Sequence, residues 1–227
     1  QHKTDEVQNN ESVMIPVAEQ DESRPTKPNL WIQLKSVEYI ALVVWFSICL
    51  IPLQYYVGAI GFQLEQRGDA DGKYTRMFSI LYASVAGISP FVGTFTDAVG
   101  LGATHAVGTI FTAGSLFILA SSEVGLPVHA IGMALYSVGR MVVFSAFFTN
   151  IGLRFGYSNY GTLSGLGLLI SGLISLLQYP LITLASDGYD AEVNIGCGIA
   201  MVCMLPYCVW LGFYERRDTP INEMQFG

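Results

Sequence analysis

Charged residues are scarce in this chain of 227 residues, and that scarcity excludes whole classes of protein. Asp, Glu, Lys and Arg make up 13% of the sequence, whereas they form about a quarter of an ordinary soluble domain. The formal net charge of −7 offers no positively charged surface for phosphates. A soluble domain is therefore excluded for the apolar part of the chain, and no nucleic-acid partner is expected.

Cysteine is also rare, and its placement excludes two further kinds of site. The four cysteines all lie within apolar stretches, and none is paired with another at metal-ligand spacing beside a histidine. Neither a disulfide framework nor a metal site is therefore expected. Paired carboxylates and a Ser/His pair are missing from the same stretches, which argues against an intramembrane enzyme. The cysteines are Cys49, Cys197, Cys203 and Cys208.

Long apolar stretches dominate the remainder. Each is long enough, at a helical rise of ~1.5 Å per residue, to cross about 30 Å of hydrocarbon. Lipid offers no partner to a bare backbone N–H or C=O, and the stretches are too long for barrel strands, so they must be helices. The sequence therefore predicts an all-α membrane protein with six transmembrane helices. The predicted spans cover residues 39–62, 77–99, 101–120, 128–152, 160–185 and 194–214.

The composition divides the chain into three parts. Residues 1–36 are polar and too poor in apolar residues to form a core, which predicts a largely disordered cytosolic tail or linker. Residues 37–214 form the bundle, and residues 215–227 form a second cytosolic tail. The chain does not begin with Met, so we expect it to be truncated upstream. Both termini are placed in the cytosol by the excess of Lys and Arg on their side of the membrane. That side holds Lys3, Arg24, Lys27, Lys35, Arg154, Arg216 and Arg217, and the opposite side holds Arg67, Lys73 and Arg76.

The link between the second and third spans carries a short motif. It reads GTFTDAVG from Gly93 to Gly100, with Asp97 as the acidic residue. This pattern resembles the loop signature of the major facilitator superfamily, although the basic residues that usually follow the Asp are absent. The resemblance implies that Gly93 lets two helices approach and that Asp97 caps the next helix. It also implies that Gly100 forms the tight turn.

A longer stretch carries a more specific resemblance. Residues 157–181 read YSNYGTLSGLGLLISGLISLLQYPL, and the pair Val193-Asn194 follows. The stretch looks like the eleventh helix of the solute carrier 43 family, with its G-T-L start and its late L-L-Q-x-P-L. This resemblance implies that the six helices are the C-terminal half of a twelve-helix major-facilitator bundle. The N-terminal half of the same transporter would then be the partner of this chain.

Arg140 is the candidate substrate-binding residue near the middle of the fourth span. A charged side chain at that depth costs about 2.5 to 3.5 kcal/mol unless it faces protein or water. Its planar guanidinium matches a carboxylate through two parallel hydrogen bonds, so it could hold the carboxylate of an amino acid. Two other interpretations stay open: Arg140 could bond the carbonyls of a broken neighbouring helix, or it could extend toward the membrane surface.

The first span supplies the other candidate substrate-binding residues. Pro52 removes a helical hydrogen bond, so a kink there could expose carbonyls beside Gln54, and broken helices often mark substrate sites in transporters. Alternatively, the aromatic pair could belong to an outer aromatic belt. The candidates on this span are Gln54, Tyr55, Tyr56 and Gly58.

Small residues and histidines have simpler interpretations. Gly161 and Gly165 form a G-x-x-x-G pair, which predicts close helix packing. His105 is expected beside the cytosolic face and His129 at an outer helix start, so neither is expected to act as a proton relay at mid-membrane. We therefore expect facilitated diffusion rather than ion-driven transport.

The expected function follows from the family resemblance. It implies transport of large neutral amino acids across the plasma membrane, without sodium or cofactor, by alternating access between two six-helix halves. The expected partners are the amino acid, the lipid bilayer and the N-terminal half. The alternative is a non-transporting six-helix membrane scaffold or a degenerate half-transporter, and the length of the native transcript would separate the two.

Overall fold

Helices make up almost all of the computed structural model, which describes residues 29–222 and the side chains of residues 29–215. No strand occurs in this part of the chain, so the predicted all-α class is confirmed. The helices are α1 (Leu30–Leu34), α2 (Val37–Gln66), α3 (Lys73–Ser84), α4 (Ser89–Val99), α5 (Leu101–Ala120), α6 (Leu126–Phe155), α7 (Tyr160–Ile174), α8 (Gln178–Leu184), α9 (Asp190–Val202) and α10 (Leu205–Asn222).

Five helical stretches in the described chain are long and apolar enough to cross a membrane. The last of them, Tyr160–Glu215, has 56 residues and would extend ~84 Å if it were straight, almost three times the hydrocarbon thickness. Its backbone turns at Gly188, where φ is 101°, and α8 packs against α9 across this turn. The stretch therefore supplies two of the six predicted spans.

We use the term span for each membrane-length segment. Spans 1, 3 and 4 are single helices that extend to or slightly beyond the predicted limits, whereas spans 2, 5 and 6 are each divided into two helices. In chain order the spans are α2; α3 with α4; α5; α6; α7 with α8; and α9 with α10.

The ends of the bundle differ from the prediction. Residues 1–28 of the expected tail lie outside the described residues. The rest of it contains α1, which Asn29 caps and Gln33 ties to the bundle by donating a hydrogen bond to the carbonyl of Phe155 at 3.0 Å. At the other end, α10 continues to Asn222 instead of ending near Tyr214. The expected C-terminal tail is therefore partly helical.

Helix α5 packs against α6, α9 and α10, and glycines make these contacts close. A Cβ added at Gly102 would lie 2.5 Å from the backbone N of Gly212 on α10. A Cβ at Gly139 on α6 would lie 2.9 Å from the backbone N of Thr112. Because glycine has no side chain, the helix backbones can approach each other closely. The closer approach increases van der Waals contact, which drives helix association in lipid.

Helix α2 forms the other centre of packing, in contact with α6, α7, α8 and α9. Its large side chains Trp45, Phe46 and Tyr56 are buried. By contrast, span 2 presents exposed apolar side chains such as Phe91, and span 5 presents exposed ones such as Leu173. These two spans leave apolar faces available to lipid or to a partner.

Candidate functional site

Arg140 lies halfway along α6, partly buried, and its charge is not neutralised by a carboxylate. Its Nε atom is buried without a hydrogen-bond partner, and its guanidinium makes neither a hydrogen bond nor an ion pair with any described residue. A buried donor without a partner costs about 1–3 kcal/mol, and more when it is charged. The expected alternative, in which Arg140 bonds carbonyls of a broken helix, is not what the structure contains.

Two aromatic rings hold the Arg140 guanidinium in place. Its Cζ atom lies 4.6 Å from the ring centroid of Tyr82 on α3 and 4.8 Å from that of Phe144 on α6. The negative ring faces attract the cation without consuming its N–H groups. The aromatic contacts therefore position the guanidinium while leaving its hydrogen-bonding capacity unused.

More aromatic residues extend from this pair toward span 1. Phe78 contacts the rings of Tyr82 and Tyr136, at centroid distances of 5.7 and 5.8 Å. Tyr136 in turn stacks on Tyr56, with ring centroids 3.9 Å apart. Tyr56 and Arg140 therefore belong to one aromatic cluster, and Tyr56 is a buried member of it rather than part of an outer belt.

Tyr55 has a different environment from its neighbour. It is fully buried, and its hydroxyl accepts a hydrogen bond of 2.9 Å from Nε2 of Gln63. Oε1 of Gln63 accepts another, of 3.0 Å, from Asn194 on α9. Through Gln63, the Tyr55 hydroxyl belongs to a hydrogen-bond chain that runs from span 1 to span 6, and its predicted role in substrate binding stays a prediction. That hydrogen-bond chain depends on residues that are far apart in the sequence.

Helix α2 continues through Pro52, so the helix does not end there. Gln54 remains partly exposed, and its amide forms no hydrogen bond with the described residues, so it stays a candidate ligand. Gly58 lies beside α8, since an added Cβ would lie 2.5 Å from the flexible Cδ1 end of Ile182, and its predicted role in substrate binding stays a prediction. No hydrogen bond joins Gln54 to Arg140.

Short 3₁₀ turns occur within two spans, at corresponding places in the two halves of the bundle. Span 2 is interrupted by a 3₁₀ turn at Val85–Ile88, and span 5 by one at Ser175–Leu177. Pro90 and Pro180 follow these turns closely. If the six spans are two repeats of three, these two spans are equivalent, and interrupted spans at equivalent positions indicate transporter sites. Sequence analysis missed the break in span 2, which Gly87 and Pro90 could have indicated.

A cavity of about 490 Å³ opens between α4, α6 and α7. Its first lining residue on α6 is Ser145, about one and a half helical turns beyond Arg140. Hydroxyl groups and aromatic rings share its wall. The lining residues are Ser89, Pro90, Gly93, Ser145, Phe148, Thr149 and Tyr160.

The loop motif is only partly as expected. Gly100 has φ of 89° and forms the turn, in agreement with the prediction. Asp97 is exposed and does not cap α5; the backbone N–H of Leu101 instead donates to the carboxylate of Glu215 on α10. Gly93 has no atom within 4 Å of an added Cβ, so it lines the cavity rather than a close helix contact.

Gly161 and Gly165 make no close helix contact within the described chain, so their predicted packing role stays a prediction that needs a further helix. Both are exposed, and a Cβ added at either would have no neighbour within 4 Å. The close contact on α7 is made by Gly167, where an added Cβ would lie 2.8 Å from Cζ of Phe147. A G-x-x-x-G pair indicates a smooth helix face but not what covers it.

His105 is fully buried, near the start of α5. Its Nδ1 lies 2.7 Å from the carbonyl oxygen of Leu101, so Nδ1 carries the proton, because a carbonyl only accepts. Its Nε2 lies 3.4 Å from the Asn150 amide, and its ring packs on Trp45 at 4.4 Å. His105 thus connects three helices.

The described side chains contain no group of three His, Cys, Asp or Glu residues placed to hold a metal ion. At the Arg140 site, a positioned cation with unused N–H groups lies between two aromatic rings, an arrangement that can bind a polar ligand. Comparison of the chain with protein-family models, with curated proteins and with solved structures gave no match.

Proposed function

We propose that this protein moves a small neutral solute across a membrane, with large neutral amino acids as the substrate class. The observation that carries the proposal is Arg140, a cation at mid-helix that Tyr82 and Phe144 position and no described residue neutralises. Residues with charge at that depth are costly and are usually functional. A carboxylate of the substrate would supply the missing partner.

The surroundings of Arg140 favour a zwitterion with an apolar side chain. Aromatic rings next to the guanidinium would accept an apolar group, and the hydroxyls of Ser145 and Thr149 lie in the neighbouring cavity. An amino acid in its neutral zwitterionic form combines these properties. No net charge would then cross the membrane, which suits facilitated diffusion.

The paired breaks in spans 2 and 5 support alternating access as the mechanism. A 3₁₀ turn replaces regular helical hydrogen bonds, so the helix bends there more readily than elsewhere. Because one such 3₁₀ turn lies in each group of three spans, bending at both would move the two groups relative to each other. The resemblance to the major facilitator superfamily favours a second six-helix half as partner, in the plasma membrane and with both termini cytosolic.

The test compares substrate analogues in the full-length transporter. Arg140→Lys keeps the charge but not the planar pair of donors, so it should raise KM, and Arg140→Gln should raise it further. Loss of a charge-assisted pair is worth roughly 1.5 to 3 kcal/mol, or about 10- to 100-fold in transport efficiency. Surface expression should stay normal.

The matched ligand control is an amino-acid amide, which lacks the carboxylate. It should compete poorly with the amino acid in the wild type, and its disadvantage should shrink in Arg140→Gln if the two groups meet. Equal losses for acid and amide would show that Arg140 holds helices together, and the amino-acid proposal would then be wrong.

The exposed pair Gly161 and Gly165 keeps a second function open, a non-transporting scaffold that binds another helix. Transport by two halves requires both, so the 227-residue chain reconstituted alone should show no saturable uptake. If the full-length protein also shows none while a partner protein co-purifies through this face, the scaffold is favoured.

A further inference from the structure

An apolar groove of about 380 Å³ lies between α2, α8 and α9, away from the residues that surround Arg140. It exists because Gly196 has no side chain to fill it: a Cβ added there would have no neighbour within 4 Å. The turn at Gly188 reverses the chain between α8 and α9, which supply two walls of the groove. The wall of the groove includes Ile51, Leu181, Leu184 and Ala200.

One charged residue, Glu192, lies at the end of this groove. It is exposed in the first turn of α9, and it makes no hydrogen bond or ion pair with any described side chain. The neighbouring carboxylate of Asp190 differs, because Arg67 neutralises it at 2.8 Å. The groove therefore combines an apolar wall with a single negative charge at the interfacial end of a spanning helix.

We propose that the groove binds one acyl chain of a phospholipid whose headgroup carries an amine, with the ammonium beside Glu192. An apolar groove among membrane-length helices lies in hydrocarbon, where acyl chains are the molecules available to fill it. The carboxylate attracts an ammonium group and repels an anionic headgroup. The volume suits a single chain rather than a whole lipid.

In the experiment, the purified chain in detergent is mixed with equal amounts of phosphatidylethanolamine and phosphatidylglycerol that have the same acyl chains. Native mass spectrometry then counts the lipids retained. We expect one phosphatidylethanolamine per chain, in at least fivefold excess over phosphatidylglycerol. Glu192→Gln should keep one lipid but remove the preference between headgroups.

Filling the groove gives the second test. Gly196→Phe should reduce lipid retention at least fivefold, whereas Gly165→Phe, the same change at an exposed glycine outside the groove, should not. Unchanged retention in Gly196→Phe would overturn the site, and so would an equal loss in Gly165→Phe. If Gly196→Phe fails to fold, Glu192→Gln decides alone: an unchanged headgroup preference contradicts the proposal.

Discussion

The carboxylate of Glu215 accepts the backbone N–H of Leu101, with Oε2 at 2.9 Å and Oε1 at 3.2 Å. Leu101 begins α5, so the negative charge lies at the positive end of that helix dipole. The N-cap residue Gly100 has no side chain that could do the same. A residue of α10 thus performs the capping that the loop motif assigned to Asp97.

Glu215→Gln should therefore destabilise the bundle, while Asp97→Asn should not. Gln can still accept the hydrogen bond, so the loss is that of the charge–dipole interaction, which is worth about 0.3 to 1 kcal/mol. For a chain of this size each kcal/mol lowers Tm by roughly 2 to 4 °C. Thermal unfolding in detergent, followed by size-exclusion chromatography of heated samples, measures the difference. A larger drop in Asp97→Asn would restore the motif interpretation.

Gly102→Ala should destabilise the contact between α5 and α10. The added methyl group would lie 2.5 to 2.7 Å from backbone atoms of Gly212 and Cys208, which cannot turn aside as a side chain can. Overpacking of this kind costs about 1 to 3 kcal/mol. Gly161→Ala is the matched control, since it has open space and should leave Tm unchanged or raise it slightly. The same thermal assay applies, and equal Tm values for the two variants would contradict the close contact.

Tyr82 should affect substrate affinity through Arg140. Tyr82→Phe keeps the aromatic face and should change KM little, whereas Tyr82→Leu removes a cation–π contact. That contact is worth about 0.5 to 2 kcal/mol, which predicts a rise in KM of roughly 2- to 30-fold. Tyr179→Leu, at an exposed tyrosine on α8, is the control for uptake by the full-length transporter. A similar KM for Tyr82→Leu and wild type would mean that the ring does not position the cation.

Asp69 should make stability depend on pH in the acidic range. Burial tends to raise the pKa of this carboxyl, but hydrogen bonds from the backbone N–H groups of Tyr74 and Thr75 outweigh burial and lower the pKa. Its ionised form is therefore stabilising above the unfolded pKa of about 3.9, and the effect is lost as pH falls through the lower folded pKa. The Tm difference between wild type and Asp69→Asn should be constant from pH 7 to 5 and shrink below pH 4. A difference that persists unchanged to pH 2 would contradict this assignment.

Membrane topology can be tested with cysteines at exposed loop positions. Cys203 is the exposed native cysteine among the described residues, so Cys203→Ser provides the background. With cytosolic termini, Ala70→Cys and Asp187→Cys should react with an impermeant reagent added to intact cells, and Ser158→Cys should not. The neighbouring loop residues Gly72 and Asp190 are unsuitable for cysteine substitution. The φ of 63° at Gly72 disfavours a side chain, and Asp190 forms an ion pair with Arg67. Reversed labelling would invert the orientation.

The sequence was sufficient to predict the positions of the spans, because crossing lipid imposes a length and a composition on each helix. Helix α5 begins and ends where its apolar stretch does, at Leu101 and Ala120. Arg140 was likewise identifiable, because a charged residue within an apolar helix is rare whatever its neighbours are.

Residue roles that depend on distant partners were not predictable from local patterns. Glu215 is 114 residues from the helix that it caps, so its role appears only once α10 packs on α5. Tyr55 and Tyr56 are adjacent in the sequence, yet one is held by Gln63 and the other stacks on Tyr136. Successive helical side chains point about 100° apart, so neighbours along the chain meet different helices.

The hydrogen bond between Gln63 and Asn194 has a consequence for biosynthesis, because 131 residues separate its two partners. Ribosomes add roughly 5–20 residues per second, so span 1 waits about 7 to 26 seconds before span 6 is made. During that time the Gln63 amide has only Tyr55 to bond on its own helix. The end of the bundle where α9 begins therefore closes last, and until then the nascent chain has a polar group that chaperones or the insertion machinery must shield from lipid.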